Sequence, residues 1–266
     1  LADLERVRGA VEAGITRDIL QETLPAGGAR NALDCALWDL AAKQAGKSVF
    51  EMTGLTFEPV QSVYTVLLDA PAIMAEQART GPSSHLKIKL DGGQPVERVA
   101  AVRDARPDAV LVVDANQSWT MDVLHNAAPR LAALGVSMIE QPLAAGADAG
   151  LNDYSGPIPI GADESCQTVA DLEGLASGYS VINVKLDKTG GLTGALQLAR
   201  EAKARGYELM VGCMAGTSLS MAPAFVIAQM CRFVDIDGPL LMARDRAPGL
   251  VFENGRVEPP DPALWG

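Results

Sequence analysis

No stretch of this sequence stays apolar for long. The longest nearly apolar run, Met221–Ala228, is interrupted by Pro223 and falls far short of the roughly 20 residues that a membrane helix needs. No membrane partner is expected. Clustered basic charge is also missing: 22 Lys and Arg stand against 33 Asp and Glu, a net charge of −11. Nucleic-acid binding rests on Lys and Arg neutralising phosphates, so that class of partner is excluded. No run of one sign marks a tail. The four cysteines, Cys35, Cys166, Cys213 and Cys231, show no Cys-x-x-Cys spacing; they read as buried thiols of a cytoplasmic protein, not as a zinc site or disulfides. The two histidines, His85 and His125, read as barrel-rim and helix-surface residues and not as part of the chemistry. The opening "LADLERVRGAVEAG" has no basic segment followed by an apolar one, so no secretory signal is visible. It also lacks an initiator Met, as a processed chain or a piece of a longer one does.

What is present is alternation. The first fifty residues read as an amphipathic helix pair, in which Leu33, Leu37, Leu40 and Ala41 recur at helical spacing and Gly46 ends the run after Lys43. Trp38 reads as core. From Val60 the texture changes to short β-rich segments ("SVYTVLL", "HLKIKL", "AVLVVD", "VSMIE", "IPIGADE", "SVINVKL", "YELMVG", "RFVDID") separated by helical ones. Eight such units predict an α/β fold with parallel strands closed into a (β/α)8 barrel; a doubly wound open sheet is the rival.

In a βα barrel, chemistry gathers where strands end. Here Lys89, Asp114, Glu140, Asp163 and Lys185 close successive β segments, at intervals of 25 (89 to 114), 26 (114 to 140), 23 (140 to 163) and 22 (163 to 185) residues. Asp235 and Asp237 follow in "DID". The three carboxylates from consecutive strands converge on one side of the mouth. They would repel one another unless a cation neutralised them, and an oxygen-only donor set suits Mg²⁺ better than Zn²⁺. Lys87 and Lys89 share a strand face because strand side chains alternate. Strands two and six of a ring of eight lie opposite each other, so Lys89 and Lys185 face across the metal. A base on each side of an acidic carbon permits proton removal from one face and return to the other, which is racemisation or epimerisation. Asp235 and Asp237 suit a cationic group on the substrate. "TGGLTGA" lacks the ending of a phosphate loop and reads as a helix-opening turn. "GCMAGTSLS" either lines the pocket or caps a helix.

The set "KIK", "DANQ", "EQP", "DES" and "VKLDKTGG" resembles the muconate-lactonising subgroup of the enolase superfamily, and "DIDGP" resembles its dipeptide epimerases. The resemblance implies Asp114, Glu140 and Asp163 as Mg²⁺ ligands, Lys89 and Lys185 as the acid/base pair acting through an enediolate, and Lys87 as the group holding the substrate carboxylate. Asn116 and Glu164 would support two of the ligands. Asp235 and Asp237 would bind a dipeptide's amino terminus. It further implies a partial capping domain over residues 1–58, the barrel over 59–243 and a tail over 244–266 returning to the cap, with strands of the family's cap expected before Leu1. A homo-oligomer is compatible with this reading. Cycloisomerase, o-succinylbenzoate synthase and N-acylamino-acid racemase are the rivals within the superfamily, but their substrates lack a free ammonium. A Schiff-base aldolase using Lys185 as nucleophile, and a non-catalytic barrel, are the rivals outside it.

Overall fold

The computed structural model describes residues 1–266. Four helices come first: α1 (Ala2–Glu12), α2 (Arg17–Thr23), α3 (Gly28–Ala45) and α4 (Val49–Thr53). The expected helix pair is therefore a four-helix group. Local chemistry sets its boundaries. Thr16 caps α2 by accepting from the Ile19 N–H, Gly46 ends α3 in the left-handed region, and Ser48 and Glu51 form a reciprocal capping box on α4. Trp38 is only partly buried: its Nε1 donates to Thr193 Oγ1 (2.9 Å) and the Arg17 guanidinium lies over its ring. It bridges elements and is not part of the core proper.

The strand β1 (Val60–Gln61) pairs with β11 (Arg256–Val257), which pairs in turn with β10 (Phe252–Glu253), so the last residues lie against the start of the barrel. The C-terminal residues also reach α3, where Trp265 Nε1 donates to Cys35 O (2.8 Å). The barrel itself comprises β2 (Tyr64–Val66), β3 (His85–Lys89), β4 (Val110–Asp114), β5 (Val136–Glu140), β6 (Ile160–Ala162), β7 (Tyr179–Val184), β8 (Glu208–Val211) and β9 (Phe233–Val234), all parallel and paired in chain order. Helices α5 (Pro71–Thr80), α6 (Pro95–Ala105), α7 (Met121–Ala133), α9 (Leu192–Ala204) and α10 (Ser218–Ala228) cover it. Single 3₁₀ turns at 149–153 and 169–173 stand in for helices after β5 and β6, and a one-turn helix α8 (Leu186–Thr189) precedes α9. The ring's ends meet through one backbone bond, Val63 N–H to Val234 O (2.8 Å), with two further bonds to side chains: Ile236 N–H to Ser62 Oγ (3.1 Å) and Thr65 N–H to Asp237 Oδ2 (2.7 Å).

Strand alternation sorts the side chains. Val112, Met138, Val181, Met210 and Phe233 form a small buried cluster, separate from the large core between strands and helices. Lys87, Val112 and Met138 are in register across β3, β4 and β5, so the stem of Lys87 belongs to the same layer as these apolar residues. Two residues further along, Lys89, Asp114 and Glu140 are again in register. That next layer is polar. No helix is long and apolar enough to cross a membrane, and all four cysteines are unpaired.

Candidate active site

The C-terminal ends of the strands carry a network of buried charges. Lys87 is 1% exposed, and its Nζ lies 3.0 Å from Asp114 Oδ2, 2.8 Å from Glu140 Oε2 and 2.7 Å from Asp235 Oδ2. Lys89 Nζ donates to Asp114 Oδ2 (2.7 Å) and to Asn116 Oδ1 (3.0 Å). Across the ring, Asp163 accepts from Lys185 (2.9 Å) on one oxygen and from Lys188 (2.7 Å) on the other. Asp114, Glu140, Asp163, Asp235 and Asp237 are all buried.

These pairings set the acidities. Burial alone would raise the Asp114 and Asp163 carboxyls, but Lys87 and Lys89 hold the first well below the usual carboxylate range, and Lys185 and Lys188 hold the second down. Glu140 goes the other way, pushed up to about 7 by burial and by Asp114. Burial would lower both Lys87 and Lys185, yet the facing carboxylates raise them: Asp114, Asp235 and Glu140 for Lys87, Asp163 and Glu140 for Lys185. Asp237 is pushed up to about 7 by burial and by the adjacent Asp235.

The donor set can be tested against a metal. Asn183 Nδ2 holds Glu140 Oε1 (2.6 Å), while Oε2 is buried and accepts no well-oriented hydrogen bond, its one close neighbour being the Lys87 ammonium. Glu164, raised by burial and by Asp163, also has a buried Oε2 with no donor. Glu140 Oε2, buried without an oriented hydrogen bond and facing only a cation, stands with Asp114 and Asp163 as a set of hard oxygen donors that fits a small dication such as Mg²⁺. Each of the outer two carboxylates is paired with lysines, Asp114 with Lys87 and Lys89 and Asp163 with Lys185 and Lys188. The tightest group of possible ligand atoms is instead Cys213, Asp235 and Asp237, whose atoms lie within 4.8 Å of one another.

With this geometry described, the comparisons can be set beside it. Residues 72–263 match the family described as enolase C-terminal domain-like, and residues 4–54 match the mandelate racemase / muconate lactonizing enzyme N-terminal domain. The chain belongs to the enolase superfamily. Among superfamily members, it is 47% identical over 261 residues to the L-Ala-D/L-Glu epimerase of Escherichia coli (strain K12), covering 97% of this chain and 81% of that one. It is 46% identical over 248 residues to the N-acetyl-D-glutamate racemase of a Pseudoalteromonas species, covering 93% and 79%. A solved dipeptide epimerase from Methylococcus capsulatus, complexed with Mg and the dipeptide L-Arg-D-Lys, superposes with a TM-score of 0.86 at 33% identity, covering 97% of this chain and 77% of that one. The (β/α)8 expectation thus holds, as does placement in the superfamily.

Within this superfamily fold, the structure brings all ten sequence-derived candidates to the barrel mouth and adds others that sequence reasoning passed over. Lys188 lies one turn beyond Lys185 and shares Asp163 with it. Asn183 precedes Lys185 by two and so points to the same interior; that period of two was a usable signal. Gly212 follows β8, and a Cβ there would sit 2.6 Å from Asn183 Oδ1 and 2.7 Å from Lys185 Cε, so any larger residue would displace one or both of those side chains. Cys213 sits beside the two late aspartates, its thiol pushed well above the usual range by burial and by Asp235 and Asp237. The thiol is therefore a neutral wall of the mouth. Asn116 takes a left-handed backbone conformation (φ 43°) that turns its amide back toward Lys89. The turn "TGGLTGA" does open a helix, α9, as expected.

Proposed function

We propose that this chain is a Mg²⁺-dependent dipeptide epimerase, inverting the α-carbon beside the C-terminal carboxylate of a dipeptide such as L-Ala-L-Glu. The observation that carries the reading is the placement of Lys89 at the end of β3 and Lys185 just after β7, four strands apart in a ring of eight, with a carboxylate group between them. The similarity to the Escherichia coli epimerase supports the substrate class.

In this reading Asp114, Glu140 and Asp163 hold the cation. When bound there, Mg²⁺ supplies stabilisation of the substrate carboxylate as it becomes dianionic and, being a like charge, offsets the upward pull of the carboxylates on the lysines. One lysine, as the free amine, takes the α-proton; the opposite lysine, as ammonium, gives a proton to the other face. Lys87, paired with Asp114, Glu140 and Asp235, would balance charge beside the cation site and hold the substrate carboxylate. Asn116 orients Lys89, and Glu164 supports Asp163. Asp235 and Asp237 receive the dipeptide's ammonium, and burial strengthens that pairing. We take residues 1–58 as cap, 59–243 as barrel and 244–266 as a returning tail.

A second reading, an N-acyl-glutamate racemase, is favoured by the Pseudoalteromonas relative and by Asp237 itself. A carboxyl titrating near 7 can present a proton to an acyl carbonyl as well as a charge to an ammonium. Proton NMR in D₂O separates the two. Metal-dependent loss of the glutamate α-proton of L-Ala-L-Glu, with growth of the L,D diastereomer, supports the epimerase. Exchange of N-acetylglutamate alone supports the racemase, and exchange of neither defeats the two-base reading.

A further inference from the structure

The glycine-rich turn after Lys185 is held from outside the barrel. Residues Leu186–Gly191 wind tightly: the N–H groups of Lys188 and Thr189 bond Lys185 O, and those of Gly190 and Gly191 bond Leu186 O. Such a short turn leaves its last carbonyls without partners in its own helix. Arg30, on α3, supplies them: its Nη2 donates to Thr189 O (2.8 Å) and its Nε to Gly190 O (3.3 Å). The same guanidinium donates through Nη1 to Gln21 O (3.2 Å) and Leu24 O (3.1 Å) at the end of α2. One side chain thus ties two helix ends together across about 160 residues of sequence.

Its neighbours reinforce the grip. Asn31 Nδ2 donates to Asp187 Oδ1 (3.1 Å), and Asp34, fully buried, accepts from the Thr193 N–H (2.9 Å) at the start of α9. Gly190 and Gly191 have φ of 77° and 113°. A Cβ on Gly190 would collide with the Arg30 guanidinium, and one on Gly191 would lie 2.5 Å from Asp34. The paired glycines therefore serve both a left-handed turn and a close approach to α3. The turn after Lys89 is held from within the barrel instead: Arg98 of α6 donates to Asp69 O (3.0 Å), Asp91 Oδ1 and Gly93 O, and Trp119 Nε1 donates to Asp91 O (2.9 Å), while Lys89 itself contacts Asp114 and Asn116.

We propose that α3, through Arg30 and with Asp34 behind it, is the positioning device for Lys185 and for the proton transfer on that lysine's face of the substrate. The inference rests on the epimerase reading for its substrate and extends it by dividing the site into a barrel-held base, Lys89, and a cap-held base, Lys185. Near-attack geometry is sensitive to displacements of about 1 Å, at a cost on the order of 100-fold in rate. Loosening the turn therefore slows one face selectively.

The test uses the Mg²⁺-loaded wild type, Arg30→Ala and Arg30→Lys in D₂O, started separately from L-Ala-L-Glu and L-Ala-D-Glu. Proton NMR follows loss of the α-proton and appearance of the other epimer. In Arg30→Ala, the epimer whose proton goes to Lys185 should lose its signal roughly 10- to 100-fold more slowly. The other epimer should exchange through Lys89 at close to the wild-type rate, now mostly with retention. Arg30→Lys keeps charge and stem but cannot span four carbonyls, so it should fall between. Equal slowing of both epimers, or of neither, overturns the proposal. Amide hydrogen exchange supplies a readout without substrate: the N–H groups of Lys188–Gly191 should exchange faster in both variants while those of β3 and β4 do not. Unchanged protection of that turn also overturns the proposal. A wild type inactive on both epimers would instead defeat the reading of the site, and with it the catalytic half of this inference.

Discussion

Replacing Lys87 with Met should destabilise the protein when chelator is present, and much less when Mg²⁺ is present. The ammonium of Lys87 lies within 3.0 Å of three buried carboxylates, and the Met side chain fills a similar volume among Val112 and Met138 while removing the charge. Removing one partner of a buried ion pair costs about 3–5 kcal/mol, because the remaining charge is left unpaired. Three partners do not triple that figure. Asp114 keeps Lys89, Glu140 keeps Asn183, and Glu140, already pushed up to about 7, would take up a proton. With an unfolding entropy of about 2.1 cal/mol/K per residue, 266 residues give roughly 0.56 kcal/mol/K, so the loss corresponds to a Tm lower by about 5–9 °C. Mg²⁺ should return more stability to the variant than to the parent, because its competitor for the same oxygens is gone; at 100 times Kd the gain is about 2.7 kcal/mol. Differential scanning calorimetry in EDTA and in Mg²⁺ measures both. A variant melting within a degree or two of the parent in EDTA would refute the account of Lys87 as counter-charge.

Other outcomes follow from the same geometry. Asp237→Asn should lower kcat/KM for L-Ala-L-Glu at least tenfold while affecting N-acetylglutamate less, as steady-state kinetics on the two substrates would reveal. Because only the ionised form pairs with an ammonium, dipeptide kcat/KM should rise with pH through about 7 and flatten in the Asn variant. The stability sign is opposite. A carboxyl whose folded pKa exceeds its unfolded value of about 3.9 keeps its proton longer in the folded state, so its contribution is greatest at low pH and is lost as pH rises from about 4 to about 7; urea titrations across that window should show a shallower slope in Asp237→Asn. Gly212→Ala should press on Asn183 and Lys185, lowering kcat on the order of 100-fold and stability by about 1–3 kcal/mol. EDTA should abolish turnover, with recovery on adding Mg²⁺; turnover that persists would exclude the cation from the reaction.

Much of the barrel was legible because two periodicities coincide. The strands alternate, and β3, β4 and β5 each end in a residue that no core would tolerate unpaired, so Lys89, Asp114 and Glu140 announce both the strand and its C-terminal end. Residues acting through shape rather than charge were less visible. Gly212 matters for an atom it lacks, and Lys188 looks like an ordinary helix-surface charge until Asp163 is found against it. The helical segment was undercounted because α1 is short and exposed along most of its length, burying only Val7, and offers no strong apolar stripe to read. Trp38 was misjudged because an aromatic at helical spacing resembles core, whereas this one spends its indole N–H on a neighbouring helix.

The ring has a clasp. Seven of its eight joints are strand ladders, but the eighth, between β9 and β2, hangs on a single main-chain bond and two side-chain catches, Ser62 receiving the Ile236 N–H and Asp237 receiving the Thr65 N–H. The carboxylate proposed to greet the substrate's amino group is therefore also one of the catches that keep the cylinder shut. A ligand settling against Asp235 and Asp237 fastens the barrel at its least-secured joint, coupling occupancy of the mouth to the rigidity of the whole wall.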